Sequence, residues 1–536
     1  MKARPLCIAA TRDGILLSWA VGDVRLYSRG QRSLAVNRFL KSDEISRRRF
    51  LAVASMAALQ GGPSAGRPPS PYGALPSARQ LQWHKMEVYA FLHFSINTFT
   101  DKEWGNGDED PALFNPTAFD ASAIVTALKA GGMKGLILTC KHHDGFCLWP
   151  THTTEHSVRS SPWRQGKGDV VAELSQAARL QGLRFGVYLS PWDRNTPVYG
   201  KPEYVEMYRA QLRELLTGYG AVFEVWHDGA NGGDGYYGGA REKRVIDRRT
   251  YYDWPGTWSL VRSLQPDAVI FSDVGPDIRW VGNESGFANE TCWATYDPIG
   301  EDGGPAAPGY VRAELGETGT RHGSRWMPAE CDVSIRPGWF WHAAEDTRVK
   351  SPAEIMNIYY RSVGHGASLL LNVPPDRRGL LHENDVDSLR GFGQFLSSTF
   401  AKNLAAHARV TATSVRAPND VFGAHNLIDG DPYTYWSADD GVTMPQVVFE
   451  FDRPVTFNVV RLRENIRLGQ RVEGFALDRW NQGSWKAFAE GTSVGACRLF
   501  PIPEGLTTSR VRLRITQCPV CPAIAEFGLY SATGFS

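Results

Sequence analysis

Short apolar runs that favour β-strands alternate with amphipathic helical segments through the central part of this sequence. The predicted strands cover residues 88–95, 135–139, 185–190, 223–228, 268–272 and 368–372, and the predicted helices cover 120–131, 169–181, 202–216, 258–264, 352–363 and 384–401. This alternation is typical of βαβ units with a parallel sheet. Fewer than eight repeats are clear, but the length of the segment favours a (β/α)8-like (TIM-type) barrel over an open sheet. The predicted barrel domain spans residues 80–403.

The pattern changes from about residue 404, where strands and turns replace the helical segments. Residues 447–451 and 459–464 alternate apolar and polar side chains with the period of two that a half-buried strand shows. We therefore predict an all-β domain over residues 404–536. The expected fold class is α/β, with a barrel followed by this β-domain.

The amino-terminal part carries a pattern of a different kind, which is typical of an export signal. Arg47 and Arg48 precede a short alanine-rich apolar run, which small residues follow. Paired arginines indicate a twin-arginine signal, and the apolar run is too short to span a bilayer. We predict a signal peptide over residues 46–66, a proline-rich linker over 67–79 and an exported protein, periplasmic or extracellular in a bacterium. Residues 1–45 show no clear periodicity and stay unassigned.

Composition and charge exclude some partners and leave others open. The chain has 58 lysines and arginines and 57 aspartates and glutamates, so no net field attracts nucleic acid or an anionic membrane. Its 17 tryptophans suit the apolar faces of sugars, although tryptophan also fills protein cores. Cys518 and Cys521 have the spacing of a zinc knuckle, but no second pair of ligands follows. In an exported protein we instead expect a disulfide between two of Cys497, Cys518 and Cys521.

Unusual polar residues lie at or just beyond the carboxyl ends of the predicted strands. They are His93, His142, His143, Tyr188, Asp228 and Asn372. In a β/α barrel this end of the strands holds the chemistry. Asp228 precedes Gly229, and Asp-Gly is also common in turns without a catalytic role, but five strands share the feature. Zinc binding is the alternative for His142 and His143. Because adjacent residues after a strand point in divergent directions, we favour hydrogen bonds to substrate hydroxyls and expect no metal in the site.

A nucleophilic Asp228 would need a second carboxyl group that protonates the leaving oxygen. Glu284 is the preferred candidate because it follows Trp280 in a polar, glycine-rich segment, where partial desolvation would raise its pKa. The rival candidates are Glu290, Glu330 and Asp332, and spacing does not choose among them. Two carboxyl groups in these roles are the machinery of a glycoside hydrolase.

The predicted barrel resembles the α-L-fucosidases of glycoside hydrolase family 29. The matching stretches are residues 92–94, 102–105, 141–146, 188–190, 226–229 and 334–340. The resemblance implies that Asp228 attacks the anomeric carbon, although His227 departs from the aromatic residue that often precedes the nucleophile. It implies fucose binding by His93, Glu103, Trp104, His142, His143 and Tyr188. We add Trp226 and Trp339 from these stretches, and Arg279 and Trp280 from the segment that leads to Glu284.

Two finer expectations also come from resemblance. Residues 279–284 look like the acid/base segment of the family's branch that cleaves α-1,3/1,4-fucosyl linkages on branched glycans, which implies Glu284 as the acid/base. Residues 424–437 resemble the discoidin-like (F5/8 type C) jelly roll, which many carbohydrate-binding modules share. That family often holds a structural calcium ion near its Asp-Gly-Asp loop, here Asp429 to Asp431. The alternative is a scaffold that packs on the barrel without binding sugar.

These features predict an exported, retaining exo-α-L-fucosidase that acts on fucosylated oligosaccharides or glycoconjugates. Asp228 would form a glycosyl-enzyme, while Glu284 would act first as the acid and then as the base. This route requires no cofactor. The alternatives are another retaining exo-glycosidase on the same barrel, such as a galactosidase, and a catalytically inactive fucose lectin. The sequence does not indicate an oligomeric state.

Overall fold

Eight parallel strands close into a barrel in the computed structural model of this chain, which describes residues 8–9, 16–20, 23–27 and 66–532. The chain divides into two units, Met1–Ala65 and Gly66–Ser536. The described part of the first unit holds three short antiparallel strands, Ile8–Ala9, Leu16–Ala20 and Asp23–Tyr27. The predicted signal peptide lies outside the described residues, except for Gly66.

The barrel strands follow one another around the barrel in chain order. They are β1 (Val88–Leu92), β2 (Gly135–Lys141), β3 (Arg184–Leu189), β4 (Glu224–Trp226), β5 (Val269–Ser272), β6 (Ile278–Trp280), β7 (Ala329–Ser334) and β8 (Ser368–Asn372). β8 pairs with β1, where Asn372 lies opposite Phe91, and this pairing closes the barrel. Nearly every strand residue is buried, because one face fills the interior and the other packs under helices. The predicted fold class is confirmed.

Helices cover the outside of the barrel unevenly. The C-terminal part of the chain, described over residues 404–532, contains an antiparallel sheet, and we call it the β-region. The α-helices that precede it are α1 (Ala78–His84), α2 (Ile96–Thr100), α3 (Ala121–Ala130), α4 (Val170–Gln181), α5 (Pro202–Gly218), α6 (Trp254–Leu264), α7 (Pro352–Arg361) and α8 (Glu383–Phe400). In the described chain no α-helix separates β5 from β6, and between β6 and β7 there is only the short 3₁₀ segment Ala313–Leu315. The sequence pattern therefore showed fewer than eight repeats, and the prediction missed β6 and β7.

Local sequence explains where several helices begin and end. α3 and α4 start after Asp120 and Asp169, whose carboxylates accept backbone N–H groups of the first turn. α7 starts with a capping box in which Ser351 and Glu354 satisfy each other's backbone N–H groups. α4 ends at Gly182, whose φ of 80° lies in the left-handed region that favours glycine.

The C-terminal region is one antiparallel sheet of seven strands. They are β9 (Arg409–Ala412), β10 (Trp436–Ser437), β11 (Gln446–Glu464), β12 (Gly474–Asn481), β13 (Ser484–Gly491), β14 (Arg498–Gln517) and β15 (Ala523–Tyr530). The first half of β11 pairs with β9 and its second half with β15, while β14 pairs along both halves. The two predicted strands 447–451 and 459–464 are these two halves.

The expected disulfide is absent, and this part of the prediction is wrong. All seven cysteines from Cys140 to Cys521 are free and buried. Cys497 packs in the same hydrophobic cluster as residues of the barrel, whereas Cys518 and Cys521 lie in the core of the β-region. The Cys518 thiol donates instead to the carbonyl oxygen of Arg471 at 3.1 Å. In the described part of the chain, no helix is both long enough and apolar enough to cross a membrane.

Candidate active site

A cavity of about 320 Å³ opens at the carboxyl ends of the barrel strands. The predicted site residues that line it are His93, Glu103, Trp104, His142, His143, Tyr188, Trp226, Asp228, Trp280, Glu284 and Trp339. They come from six of the eight strands or from the segments that directly follow them. The barrel therefore gathers every predicted site residue except Arg279.

Asp228 lies two residues beyond the end of β4, with its carboxylate held on both oxygens. Oδ1 accepts the backbone N–H of Ala230 at 2.6 Å, and Oδ2 accepts the phenol of Tyr188 at 2.8 Å. His143 Nε2 lies 3.8 Å from Asp228 Oδ2, and the Asp228 side chain is 22% exposed. Two hydrogen bonds thus fix the orientation of a carboxylate that the cavity leaves accessible, which is what a nucleophile requires.

Two histidines have tautomers that their partners determine. Both amide N–H donations of Asn372 go to other oxygens, so its Oδ1 accepts from His93 Nδ1 at 2.9 Å. The hydroxyl of Ser190 donates to the carbonyl of Trp192, so its oxygen accepts from His143 Nδ1 at 2.7 Å. Burial lowers the pKa of His93 to about 3 and also lowers that of His143. Both rings are therefore neutral, and each keeps Nε2 as an acceptor for a hydroxyl group.

His142 lies between these residues with a different environment. Its ring centroid is 5.6 Å from that of His93 and 5.9 Å from that of Tyr188. Burial, with His143 and His93 nearby, lowers its pKa well below the usual range. Its Nδ1 is buried and has no hydrogen-bond partner within the described part of the chain.

Glu103 and Trp104 form one wall of the cavity. The Glu103 carboxylate accepts the backbone N–H groups of Trp339 at 2.8 Å and Phe340 at 3.2 Å. Trp104 is 51% exposed and packs edge-on against His143, with 5.1 Å between ring centroids. An exposed indole beside hydrogen-bonding groups is the arrangement that suits the apolar face of a sugar.

Glu284 lies at the rim of the cavity, four residues after the end of β6. One of its carboxylate oxygens accepts Trp339 Nε1 at 3.2 Å. Partial burial raises the pKa of Glu284, and the negative charges of Asp228 and Glu103 raise it further. A carboxyl group with a raised pKa at the mouth of a pocket is suited to general acid catalysis.

The rival carboxyl groups occupy other places. Glu290 lies outside the cavity, and Glu330 lies under it on β7, where its carboxylate accepts Trp226 Nε1 at 2.7 Å. Asp332 does line the cavity, but it is 4% exposed and accepts Trp280 Nε1 at 2.7 Å. Among these groups, Glu284 combines access to the cavity with exposure at its rim.

Arg279 does not reach the cavity, and its assignment to substrate binding is wrong. Its side chain is fully buried and donates to the carbonyl oxygens of Gly316 and Trp293, each at 2.9 Å. Successive residues of a strand point to opposite faces, so Arg279 faces outward where Trp280 faces the cavity. Arg279 instead holds the long segment between β6 and β7.

The structure adds Asp273 to the site, which the prediction missed. Asp273 lines the cavity, and its Oδ2 accepts the backbone N–H of Gly309 at 2.8 Å. Burial raises its pKa to about 6. The signal was present in the sequence, because Asp273 directly follows the predicted strand 268–272 and is, like Asp228, an acid at the carboxyl end of a strand.

Metal-binding geometry is not evident in the described residues. They contain no group of three or more histidine, cysteine, aspartate or glutamate side chains that could hold a metal ion. In the Asp429–Asp431 loop, the Asp429 carboxylate accepts the backbone N–H of Asp431 at 2.9 Å and the hydroxyl of Thr434 at 2.7 Å. A calcium ion there would need backbone carbonyl ligands as well, and it stays a prediction.

Comparison with known proteins gives a consistent result. The family model described as alpha-L-fucosidase matches residues 72–399. Alpha-L-fucosidase 1 of Arabidopsis thaliana is 43% identical over 487 residues, which cover 90% of this chain and 92% of that protein. A glycoside hydrolase 29 family member from an unknown rumen bacterium has a TM-score of 0.77 at 43% identity, covering 87% of this chain and 79% of its own. A Ruminococcus gnavus GH29 fucosidase in complex with fucose has a TM-score of 0.77 at 32% identity, covering 88% and 98%.

Proposed function

The chain belongs to the α-L-fucosidases of glycoside hydrolase family 29, and from that premise we propose that it is a retaining exo-enzyme that releases terminal α-L-fucose. We further propose that it prefers α-1,3- and α-1,4-linked fucose on branched glycans. The observation that carries the mechanism is the Asp228 carboxylate, fixed by two hydrogen bonds in the same cavity as Glu284.

The proposed reaction has two steps. In the first, Asp228 attacks the anomeric carbon while the Glu284 carboxyl group donates its proton to the leaving glycosyl oxygen. In the second, the Glu284 carboxylate takes a proton from water, and that water attacks the anomeric carbon and releases Asp228. The raised pKa of Glu284 supports the first role, because the group must be protonated when the substrate arrives.

Fucose recognition is assigned to polar and aromatic groups that line the cavity. His93 and His143 offer neutral Nε2 acceptors, so each can accept a sugar hydroxyl. Trp104 presents an exposed indole to the same space. The volume of about 320 Å³ is at the small end for ligand sites, which supports binding of a single terminal sugar and hence exo action. A galactosidase is not favoured.

Hydrolysis of paired substrates tests the proposal. Lewis-type trisaccharides should be cleaved faster than 2′-fucosyllactose, and matched galactosides should not be cleaved.

Glu284→Ala should abolish trisaccharide cleavage but retain cleavage of fucosyl fluoride, whose leaving group departs without an acid. Added azide should restore turnover of the fluoride by this variant and give α-fucosyl azide, because azide displaces Asp228 from the β-linked glycosyl-enzyme as water does in the second step. Trisaccharide cleavage retained by Glu284→Ala would move the acid role to another carboxyl group such as Asp332, whereas equal loss on both substrates without azide rescue would indicate structural damage.

Two proposals concern regions beyond the barrel. We propose that the β-region is a discoidin-like module that binds sugar. Calorimetric titration of the intact protein with galactose and fucose oligosaccharides, with and without calcium, tests this.

We also propose export through a twin-arginine signal, with no nucleic-acid or membrane-embedded partner. Replacing both Arg47 and Arg48 by lysine should then retain the protein in the cytoplasm, as judged by cell fractionation.

A further inference from the structure

A histidine outside the predicted site lies between two carboxylates at the rim of the cavity. His342 Nδ1 is 2.8 Å from Asp101 Oδ1, and His342 Nε2 is 2.6 Å from Glu103 Oε1. A neutral imidazole has one N–H group and one lone pair, so it can donate to only one of these oxygens. Both contacts are favourable only when both ring nitrogens carry a proton. The geometry therefore calls for an imidazolium ion.

The remaining charges near His342 have partners of their own. Arg336 approaches the carbonyl oxygen of His342 at 3.5 Å, but its guanidinium binds Asp385 and Asp346. Glu345 accepts the backbone N–H of Gly338 at 3.1 Å, and the Arg377 guanidinium lies 5.9 Å from the centroid of the Trp341 ring. Partial burial acts to lower the pKa of His342, but the hydrogen bonds to Asp101 and Glu103 outweigh it and raise that pKa above its ordinary value.

The two carboxylates and the histidine join two loops across the cavity mouth. Asp101 and Glu103 belong to the loop that follows β1, next to Trp104, whereas His342 belongs to the loop that follows β7. Glu103 also accepts the backbone N–H groups of Trp339 and Phe340. The loops are closely packed here, because a Cβ atom on Gly338 would lie 2.5 Å from Glu103 Oε1. We call this connection of Asp101, Glu103 and His342 the carboxylate clamp.

The clamp leads directly to the proposed catalytic groups through Trp339. The indole Nε1 of Trp339 donates to Glu284 at 3.2 Å, and its carbonyl oxygen accepts from Asn372 at 2.8 Å. Asn372 in turn fixes the tautomer of His93. A shift of the Trp339 backbone would therefore disturb both the proposed acid and a proposed fucose ligand.

We propose that His342 is a positioning residue, which acts as a cation in the carboxylate clamp and thereby fixes Trp339 for catalysis. This inference rests on the proposed role of Glu284 and extends it. As the pH rises through the pKa of His342, the ring keeps one donor, and one of the two carboxylates faces a lone pair. The clamp then loosens. The rate of catalysis should therefore fall at alkaline pH, even for a substrate whose leaving group needs no proton from Glu284.

The test uses α-L-fucosyl fluoride, because cleavage of this substrate removes the need for the Glu284 proton. The variants of the full chain are His342→Gln, which is neutral at every pH, and His152→Gln, which changes an exposed histidine remote from the cavity. Wild-type kcat/KM should fall about 10-fold between about pH 6 and about pH 9. His342→Gln should be flat at roughly the alkaline wild-type value, and His152→Gln should follow the wild type. A His342→Gln profile that keeps the alkaline fall would overturn the proposal.

A second measurement separates the clamp from the proposed function. Selective labelling of histidine rings and titration by NMR give the pKa of His342 directly, with the His342→Gln variant supplying the assignment. The pKa should lie above the ordinary value of about 6.5 and decrease in Asp101→Asn. A ring that titrates at or below that value and does not respond to Asp101→Asn would contradict the clamp, whatever the enzyme hydrolyses. If the pKa behaves as expected but no fucoside is cleaved, the proposed function fails and the positioning role fails with it.

Discussion

Asp273 shows how one carboxylate can support two sides of a site. Its Oδ2 accepts the backbone N–H of Gly309, which belongs to the segment between β6 and β7. The same oxygen lies so close to Gly229 that a Cβ atom there would be 2.4 Å away. Asp273 therefore packs against Gly229, the residue that follows Asp228, and also binds the loop that carries Gly309.

The raised pKa of Asp273 gives a prediction about stability and pH. With a folded pKa of about 6 against about 3.9 in the unfolded chain, ionisation destabilises the fold progressively as the pH rises between these values. Asp273→Asn avoids that cost and still offers an oxygen to Gly309. The free energy of unfolding of the variant should equal that of the wild type near pH 4 and exceed it by about 2 kcal/mol above pH 6.

Urea unfolding at a series of pH values measures this difference. Asp267→Asn, a change in the turn before β5 at a carboxyl group outside the cavity, is a suitable control and should show no such growth with pH. A constant difference between Asp273→Asn and the wild type from pH 4 to pH 8 would show that the carboxyl group ionises without cost.

At this scale the sequence reveals the residues but not their directions. Asp228 and the histidines stood out because polar side chains interrupt apolar runs at strand ends, where a parallel barrel brings them together. Arg279 was assigned wrongly because the segment was taken as a loop, in which alternation does not apply. Once it is part of β6, its neighbour Trp280 takes the inward direction and Arg279 the outward one. His342 gave no strand-end signal at all.

Among the elements, a buried ion pair fixes the loop after β7 to helix α8. Arg336 Nε donates to Asp385 at 2.9 Å, and both side chains are fully buried. The loop beyond Arg336 carries Trp339. The first turn of α8 therefore helps to position the loop from which Trp339 lines the cavity.

Asp385→Ala should destabilise the protein strongly, because it leaves the guanidinium of Arg336 buried with one carboxylate partner fewer. The expected loss in the free energy of unfolding is ~3–5 kcal/mol. Asp387→Ala in the same helix removes an exposed pair with Arg390 and should cost less than ~0.5 kcal/mol. Chemical denaturation of both variants measures the difference, and equal stability of the two would show that the buried pair contributes little.

The strands that the sequence did not reveal have a common physical cause. β6 has three residues, and β7 carries Glu330 and Asp332 within its length. Both lack the apolar run by which the other strands were found. β6 is too short for such a run. In β7 two buried acids interrupt it, and tryptophan N–H groups rather than solvent satisfy their carboxylates. No pattern in a single sequence indicates such partners.

For the whole molecule, the barrel and the β-region share a continuous apolar core. Val459, Leu499 and Tyr530 pack in the same cluster as residues of the barrel. Arg463 of β11 also donates to Glu87, next to β1, at 2.6 Å. The change of pattern near residue 404 marks a change of architecture, yet contacts group Gly66–Ser536 as one unit.

Removal of the β-region should therefore prevent the barrel from folding normally. A fragment of residues 67–403 would expose the apolar surface that Leu499 and Tyr530 cover. It should aggregate, or lack the cooperative thermal transition that the chain from residue 67 to 536 shows. Soluble yield and calorimetry of the two forms measure this, and a soluble, cooperatively folded fragment would contradict the shared core.

The proposed mechanism requires that Asp228 becomes covalently bonded to the sugar, and trapping of this intermediate tests it most directly. The protein is incubated with 2-deoxy-2-fluoro-α-L-fucosyl fluoride, whose glycosyl-enzyme forms faster than it is hydrolysed, and is then digested and mapped by mass spectrometry. The wild type should carry one covalent fluorofucosyl group, on Asp228, and the Asp228→Asn variant should carry none. A protein that hydrolyses fucosides but carries no label, or carries it on another residue, would contradict the central claim.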